Sequence, residues 1–86
     1  MKVIYTDRFY EHFCYWKQHN QKIVEKIKRL IQAIQEDPFK GIGKPEPLCF
    51  TLEKCWSRRI NQEHRLVYKV NQGIVTLLIC RFHYDK

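Results

Sequence analysis

The sequence lacks the features of a membrane-spanning or secreted protein. Its longest apolar run, Ile74 to Cys80, contains a threonine and is far too short to cross a bilayer. The first residues show no apolar stretch of the kind found in secretory signals. Repeats, linkers and low-complexity stretches are also missing. In 86 residues these absences predict one small cytoplasmic domain that spans 1–86.

The four cysteines lack the spacing of a metal site. They are Cys14, Cys49, Cys55 and Cys80, with no Cys-x-x-Cys pair among them. No histidine falls at a ligand spacing from a cysteine pair. We therefore expect reduced, structural thiols, with no metal and no cofactor.

Acidic residues are scarce. Nine Asp and Glu stand against sixteen Lys and Arg, which gives a formal net charge of +7. Such an excess predicts attraction to polyanions, weakened by salt. Membrane surfaces are anionic too, but no basic amphipathic helix with a wide apolar face and a polybasic tail is visible. The charge therefore favours nucleic acid over a membrane surface.

The first half of the chain predicts one strand and two helices. Met1 to Tyr5 forms a short β-branched and aromatic run, after which Thr6 or Asp7 can cap a helix. Asn20 can cap the second helix, which Asp37-Pro38 ends. Apolar residues at helical spacing predict the buried faces: Phe9, Phe13 and Trp16, then Ile23, Ile27, Leu30, Ile31 and Ile34.

The second half predicts strands. A loop over 39–48 is followed by strand-like runs at roughly 49–52, 56–61, 65–70 and 74–83, with Asn71-Gln72-Gly73 as the last hairpin turn. Helices first and strands later indicate an α+β fold. We expect two N-terminal helices packed on a mostly antiparallel twisted sheet, in the order β-α-α-β-β-β-β.

Several cationic residues fall within the last three strand-like runs: Arg59, Arg65, Arg81 and His83. A three-residue turn would pair Val70 with Ile74 and place Arg65, Arg81 and His83 on one face of the hairpin. A two-residue turn or a bulge would separate them. The alternative is an ordinary solvated sheet face that carries arginines.

Glu46 stands between two prolines in the loop. Because proline fixes its own backbone, this carboxylate is held at little entropic cost, as a general base requires. An ordinary turn glutamate is the alternative interpretation. A carboxylate, arginines, an imidazole and a terminal tyrosine together could cleave RNA without a metal. The sequence itself does not place Glu46 beside His83.

Three segments resemble the YoeB-type toxins of the RelE superfamily. Gly43-Lys44-Pro45-Glu46-Pro47-Leu48 is similar to a signature loop of these toxins. Trp56-Ser57-Arg58-Arg59-Ile60, followed by Glu63-His64-Arg65-Leu66-Val67-Tyr68, resembles a second motif. Cys80-Arg81-Phe82-His83-Tyr84 resembles the end of these proteins. The resemblance covers nearly the whole chain.

The resemblance implies a RelE-like fold and the toxin of a type II toxin–antitoxin pair that cleaves mRNA in the ribosomal A site. It implies Glu46 as general base, His83 as general acid, Arg65 as phosphate-stabilising arginine and Tyr84 as substrate-orienting residue. It implies contact with RNA or the ribosome for Arg59, Lys44 and His64, and its place on the last hairpin makes Arg81 a further candidate for RNA binding. The implied partners are a YefM-like antitoxin with an acidic tail, the 70S ribosome with its mRNA, and a second copy in a homodimer.

Two departures from the family pattern predict weaker activity rather than none. Cys49 replaces a residue that is usually basic, and Asp85-Lys86 follow the terminal tyrosine. Two rival functions remain open. One is a non-catalytic RNA- or ribosome-binding protein on the same fold. The other is a degenerate toxin kept for binding its antitoxin.

Overall fold

Two helices cover one face of a five-stranded sheet in this computed structural model, which describes residues 1–48 and 54–82. The elements are β1 (Lys2–Tyr5), α1 (Asp7–His19), α2 (Gln21–Glu36), β2 (Glu46–Pro47), β3 (Cys55–Arg59), β4 (Arg65–Asn71) and β5 (Ile74–Ile79). The strand order is β1-β5-β4-β3-β2, and only the β1–β5 pair is parallel. The predicted α+β class is confirmed. The run predicted at 49–52 lies outside the described residues.

Both helices begin and end where the sequence predicts. The hydroxyl of Thr6, rather than the carboxylate of Asp7, caps α1 by accepting from the Phe9 N–H at 3.0 Å. The side chain of Asn20 caps α2 by accepting from the Lys22 and Ile23 N–H groups at 3.1 and 3.3 Å. Helix α2 ends at Glu36, and its C-cap Asp37 directly precedes Pro38.

Replacing Asn20 with alanine is expected to lower the free energy of unfolding by about 1 kcal/mol. The substitution leaves two N–H groups at the start of α2 without their acceptor. Urea unfolding at 25 °C measures the change, with Gln18→Ala on the exposed side of α1 as the control. Equal midpoints for the two variants would contradict the capping role.

The buried core joins the inner faces of the helices to one face of the sheet. The predicted helical stripe is confirmed, with Phe13 and Ile31 at its half-buried margin. The sheet contributes large apolar side chains from its central strands β4 and β5. The core residues of the two layers are Phe9, Trp16, Ile23, Val24, Ile27, Leu30 and Ile34 from the helices, and Leu66, Tyr68, Val75 and Leu77 from the strands.

The hairpin of β4 and β5 differs from the predicted three-residue turn. Asn71 pairs with Ile74, so the turn has two residues, Gln72 and Gly73, with φ of 52° and 78°. Two positive φ values suit the twist of a tight hairpin. A bulge between Val67 and Tyr68 then shifts the register by one residue, so that Val67 pairs with Ile79. Compared with the predicted pairing, the register is therefore displaced by one residue from Asn71 to Tyr68 and by two residues at Val67.

The thiols in the described part of the chain are free, as predicted. Cys55 and Cys80 are buried, and burial raises the pKa of Cys80 to about 12. A thiol of so high a pKa is a poor nucleophile, which suits a structural role. Cys49 lies outside the described residues. Within those residues, neither helix has the length and hydropathy needed to cross a membrane.

Candidate active site

Glu46 lies on a short edge strand rather than in a free loop. It pairs with Ser57 of β3, and the pairing extends on both sides through backbone hydrogen bonds from Arg59 N–H to Gly43 O and from Leu48 N–H to Cys55 O. Prolines are tolerated there because an edge strand has unpaired N–H positions. The position of Glu46 is therefore fixed by strand pairing as well as by its proline neighbours. Its side chain is exposed.

The register brings Glu46 and Arg65 to the same face of the sheet. Glu46 pairs with Ser57, and Arg59 pairs with Arg65. Directly paired residues share a face, and so do residues two apart on one strand. We call this set the arginine face: Glu46, Ser57, Arg59 and Arg65. It is opposite to the face that the helices cover, where Leu66 and Tyr68 point.

Strand geometry sets the distance across the arginine face. Two strand spacings and two residues of rise place the Cα atoms of Glu46 and Arg65 about 12 Å apart. The two side chains together can span most of that distance. A ribose–phosphate unit bound between them could therefore contact the carboxylate on one side and the guanidinium on the other.

The guanidinium of Arg65 is held by the turn that precedes it. Its Nη1 donates to the backbone oxygens of Asn61, Gln62 and His64, at 2.7, 3.3 and 3.1 Å. The side chain of Asn61 stabilises the turn, since it accepts from two N–H groups at 2.8 Å each. In all described hydrogen bonds of the guanidinium the donor is Nη1, so Nε and Nη2 can donate to a bound anion. Sequence reasoning missed Asn61, although asparagine is a usual turn-former.

Arg58 is a second residue that sequence reasoning missed. It is fully buried, and its guanidinium donates to the Tyr68 hydroxyl and to the backbone oxygens of Asp37, Lys40 and Ile42. The Tyr68 hydroxyl in turn donates to the Pro38 oxygen at 2.6 Å. These bonds fasten the segment 37–42 to the sheet. Residues 43–45 connect that segment to β2, so Arg58 helps to position Glu46.

The other predicted site residues have separate locations. Lys44 and Arg59 are exposed, at the start of the signature loop and on the arginine face. Strand β5 ends at Ile79, and the Arg81 guanidinium then stacks on the Tyr15 ring of α1 at 3.5 Å. Arg81 therefore lies against α1 and not on the arginine face. His83, Tyr84, Asp85 and Lys86 lie outside the described residues.

His64 is half-buried beside α1. Its ring lies 4.8 Å from the Trp16 ring, and its Nδ1 accepts from the Phe82 N–H at 2.8 Å. Burial is the largest cause that lowers the pKa of His64, and the neighbouring arginines Arg81 and Arg65 lower it further, against Glu63. This environment favours a neutral imidazole near pH 7.

No group of three or more His, Cys, Asp or Glu side chains that could hold a metal ion is present in residues 1–48 and 54–82. The polar groups gathered on the arginine face are one carboxylate, one hydroxyl and two guanidiniums. Such a set can accept a proton and stabilise an anion.

Two helices against a mixed five-stranded sheet, with a carboxylate and arginines on the opposite face, place the chain in the RelE-like class of small α+β proteins. A family model, the YoeB-like toxin of bacterial type II toxin-antitoxin systems, matches residues 5–84. The chain belongs to this family.

Individual relatives agree with the family model. The chain is 45% identical to the toxin YoeB of Synechocystis over 86 residues, all of both chains. A YoeB/ParE toxin from Agrobacterium tumefaciens superposes with a TM-score of 0.91 at 41% identity, covering 98% of this chain and 100% of that one. YoeB from Staphylococcus aureus has been solved as a dimer and in complex with YefM. The TM-scores are 0.88 and 0.86 at 38% and 39% identity, with 98% of each chain covered.

Proposed function

We propose that this protein is a ribosome-dependent mRNA endoribonuclease, the toxin of a type II toxin–antitoxin pair. It would cleave the message in the ribosomal A site by general acid–base chemistry without a metal. The observation that supports this most directly is the shared sheet face of Glu46 and Arg65. A proton acceptor and a phosphate-binding cation are the two groups that attack by a ribose 2′-hydroxyl requires first.

In the proposed reaction Glu46 takes the proton from the 2′-hydroxyl. The 2′-oxygen forms a bond to the adjacent phosphorus, and the bond from phosphorus to the 5′-oxygen breaks. Arg65 stabilises the negative charge that builds on the phosphoryl oxygens. His83 gives a proton to the departing 5′-oxygen, and Tyr84 orients the substrate. The products are a 2′,3′-cyclic phosphate and a free 5′-hydroxyl.

We propose RNA contacts for Lys44 and Arg59, whose side chains are exposed next to the two catalytic groups. Contacts with the phosphate backbone need charge and reach rather than a shaped pocket. His64 and Arg81, which the sequence also makes candidates for RNA contact, have partners within the protein: the Phe82 N–H for His64 and the Tyr15 ring for Arg81.

The ribosome would supply the substrate position that this small surface does not. The net charge of +7 draws the protein to ribosomal RNA, and the A site presents a fixed stretch of message. The proposed location is therefore the cytoplasm, where ribosomes translate.

The proposed regulator is a YefM-like antitoxin whose acidic tail covers the basic face. YoeB from Staphylococcus aureus forms a complex with YefM, and it also forms a dimer. An acidic segment on the arginine face would offset its charge and block the approach of RNA. We propose the same antitoxin partnership for this chain, together with a homodimer.

Primer extension on a translated message after brief expression tests this function. We expect breaks inside codons at the A site. The control is the double variant Glu46→Ala, Arg65→Ala, which should leave the message intact and allow growth. Growth arrest by the double variant, with an intact message beside stalled ribosomes, would support the non-catalytic ribosome binder instead. A parent protein that neither arrests growth nor cuts RNA would support the degenerate toxin.

A further inference from the structure

In the described part of the chain, the backbone of the segment Cys80–Phe82, which directly follows β5, makes four hydrogen bonds to side chains and backbone outside the segment. The Cys80 oxygen accepts from Trp16 Nε1 at 2.8 Å, and the Phe82 oxygen accepts from the Arg65 N–H at 3.0 Å. The other two bonds run from backbone N–H groups to histidine rings. Cys80 N–H donates to His12 Nδ1 at 3.1 Å, and Phe82 N–H donates to His64 Nδ1 at 2.8 Å.

Both ring nitrogens must be free of a proton to accept these bonds. An imidazole whose Nδ1 accepts is neutral and carries its proton on Nε2. Protonation of His12 or His64 turns Nδ1 into a donor and sets it against the backbone N–H. The hydrogen bonds of the Cys80 and Phe82 N–H groups therefore both require a histidine ring whose Nδ1 carries no proton.

The surroundings of both rings favour the neutral form. Burial is the first cause that lowers the pKa of His12, followed by Arg81 and Arg8, while Glu11 opposes them. Burial also comes first for His64, where Arg81 and Arg65 act against Glu63. Arg81 acts on both histidines through its positive charge, and its guanidinium lies 3.5 Å from the Tyr15 ring and 4.6 Å from the Phe82 ring.

We propose that His12 and His64 form a proton-sensitive clasp on the segment Cys80–Phe82. The clasp is closed when both rings are neutral, and protonation of either ring opens the bond that this ring accepts. His12 and His64 are then positioning residues, because the segment that they hold leads in sequence into His83 and Tyr84. This last consequence, unlike the clasp itself, rests on the proposed function.

The pH window follows from the direction of the two shifts. Above the ordinary histidine pKa of about 6.5 the rings are neutral whether the clasp is closed or open, so the clasp is at full strength. Below it, the open form takes up protons first, because both pKa values are lower in the closed form. The clasp is therefore lost as the pH falls from about 6.5 through the lowered values.

Amide hydrogen exchange of the full chain, followed by NMR from pH 5 to 8, tests the clasp. We expect the protection factors of the Cys80 and Phe82 amides to be constant above about pH 6.5 and to fall about tenfold per pH unit below it. Nitrogen-15 shifts of the rings should show the Nε2–H tautomer for both histidines at pH 7.5.

Two substitutions of His64 distinguish the effect of its hydrogen-bond acceptor from the effect of its protonation. In His64→Asn an amide oxygen replaces Nδ1 and cannot be protonated near neutral pH, so the Phe82 amide should stay protected throughout. In His64→Leu the acceptor is lost, and above about pH 6.5 protection of that amide should be at least about tenfold lower than in the parent. His19→Asn is the matched control, since this exposed histidine makes no hydrogen bond to Cys80–Phe82 in the described part of the chain.

Two results would overturn the clasp. One is an Nδ1–H tautomer of His12 and His64 at pH 7.5. The other is a Phe82 amide whose protection is the same in the parent, His64→Asn and His64→Leu. Because exchange is read at single amides, the result does not depend on any cleavage assay.

Cleavage of a ribosome-bound message tests the positioning consequence. At pH 7.5 we expect His64→Leu to be slower than the parent by roughly tenfold to hundredfold, and His64→Asn to restore the rate. Equal rates for the leucine variant and the parent would overturn positioning. If Glu46→Gln cleaved normally, the proposed function would fail while the amide result for the clasp still stood.

Discussion

Replacing Glu46 with glutamine is expected to slow cleavage of a ribosome-bound message by about 10²- to 10⁴-fold. The amide cannot take a proton from the 2′-hydroxyl at neutral pH, yet it has nearly the size of the carboxylate. The pairing of residue 46 with Ser57 involves the backbone, so the edge strand should be retained. Single-turnover rates on programmed ribosomes measure the effect on the chemical step.

Binding should change in the opposite direction to catalysis. Loss of a negative charge from a basic surface strengthens attraction to RNA, so we expect KM to stay the same or fall while kcat collapses. Glu36→Gln, an exposed position at the end of α2, makes the same change in charge and should cleave at the parental rate. A Glu46→Gln protein that cleaves within threefold of the parent would remove Glu46 from the mechanism.

The helical half of the fold could be predicted because its signals are local. A cap residue such as Thr6 or Asn20 acts on N–H groups two or three positions away, and an apolar stripe is visible in the spacing of its own residues. Both kinds of signal are complete within one helix. The predicted ends of α1 and α2 are therefore correct to within a residue or two.

The sheet register could not be predicted because it depends on pairs of distant residues. The sequence Asn71-Gln72-Gly73 is compatible with turns of two or three residues, and a change of one residue reverses every face. The structure has the shorter turn and adds a bulge at Val67 and Tyr68. No local pattern indicates that bulge, because it reflects the fit between two strands.

The candidate site was predictable in its residues but not in its supports. Glu46 and Arg65 stand out by residue type and by family resemblance, and the register brings them to one face. Arg58 does not stand out, because one arginine in a strand resembles the next. The alternation of side chains along β3 could have distinguished Arg58 from Arg59. Arg58 lies on the same face as Trp56 and Ile60, which point toward the core, whereas Arg59 lies on the opposite face.

Replacing Arg58 with alanine is expected to lower the free energy of unfolding by about 3 to 5 kcal/mol, since each buried polar group left unsatisfied costs about 1 to 3 kcal/mol. The guanidinium supplies hydrogen bonds to three backbone oxygens and the Tyr68 hydroxyl, and these groups would remain buried without their donor. A domain of 86 residues has roughly 4 to 13 kcal/mol of stability, so the loss would remove much of it. Urea unfolding at 25 °C measures the change.

Arg59→Ala is a closely matched control, because it removes the same charge from the next residue of the same strand. The Arg59 side chain is exposed, and its backbone bond to Gly43 O is retained, so its stability should stay within about 0.5 kcal/mol of the parent. Arg58→Lys should be intermediate, since an ammonium keeps the charge but cannot reach acceptors arranged for a planar fork. If Arg58→Ala proved as stable as Arg59→Ala, the segment 37–42 would be held by something other than this guanidinium, and its part in positioning Glu46 would be lost.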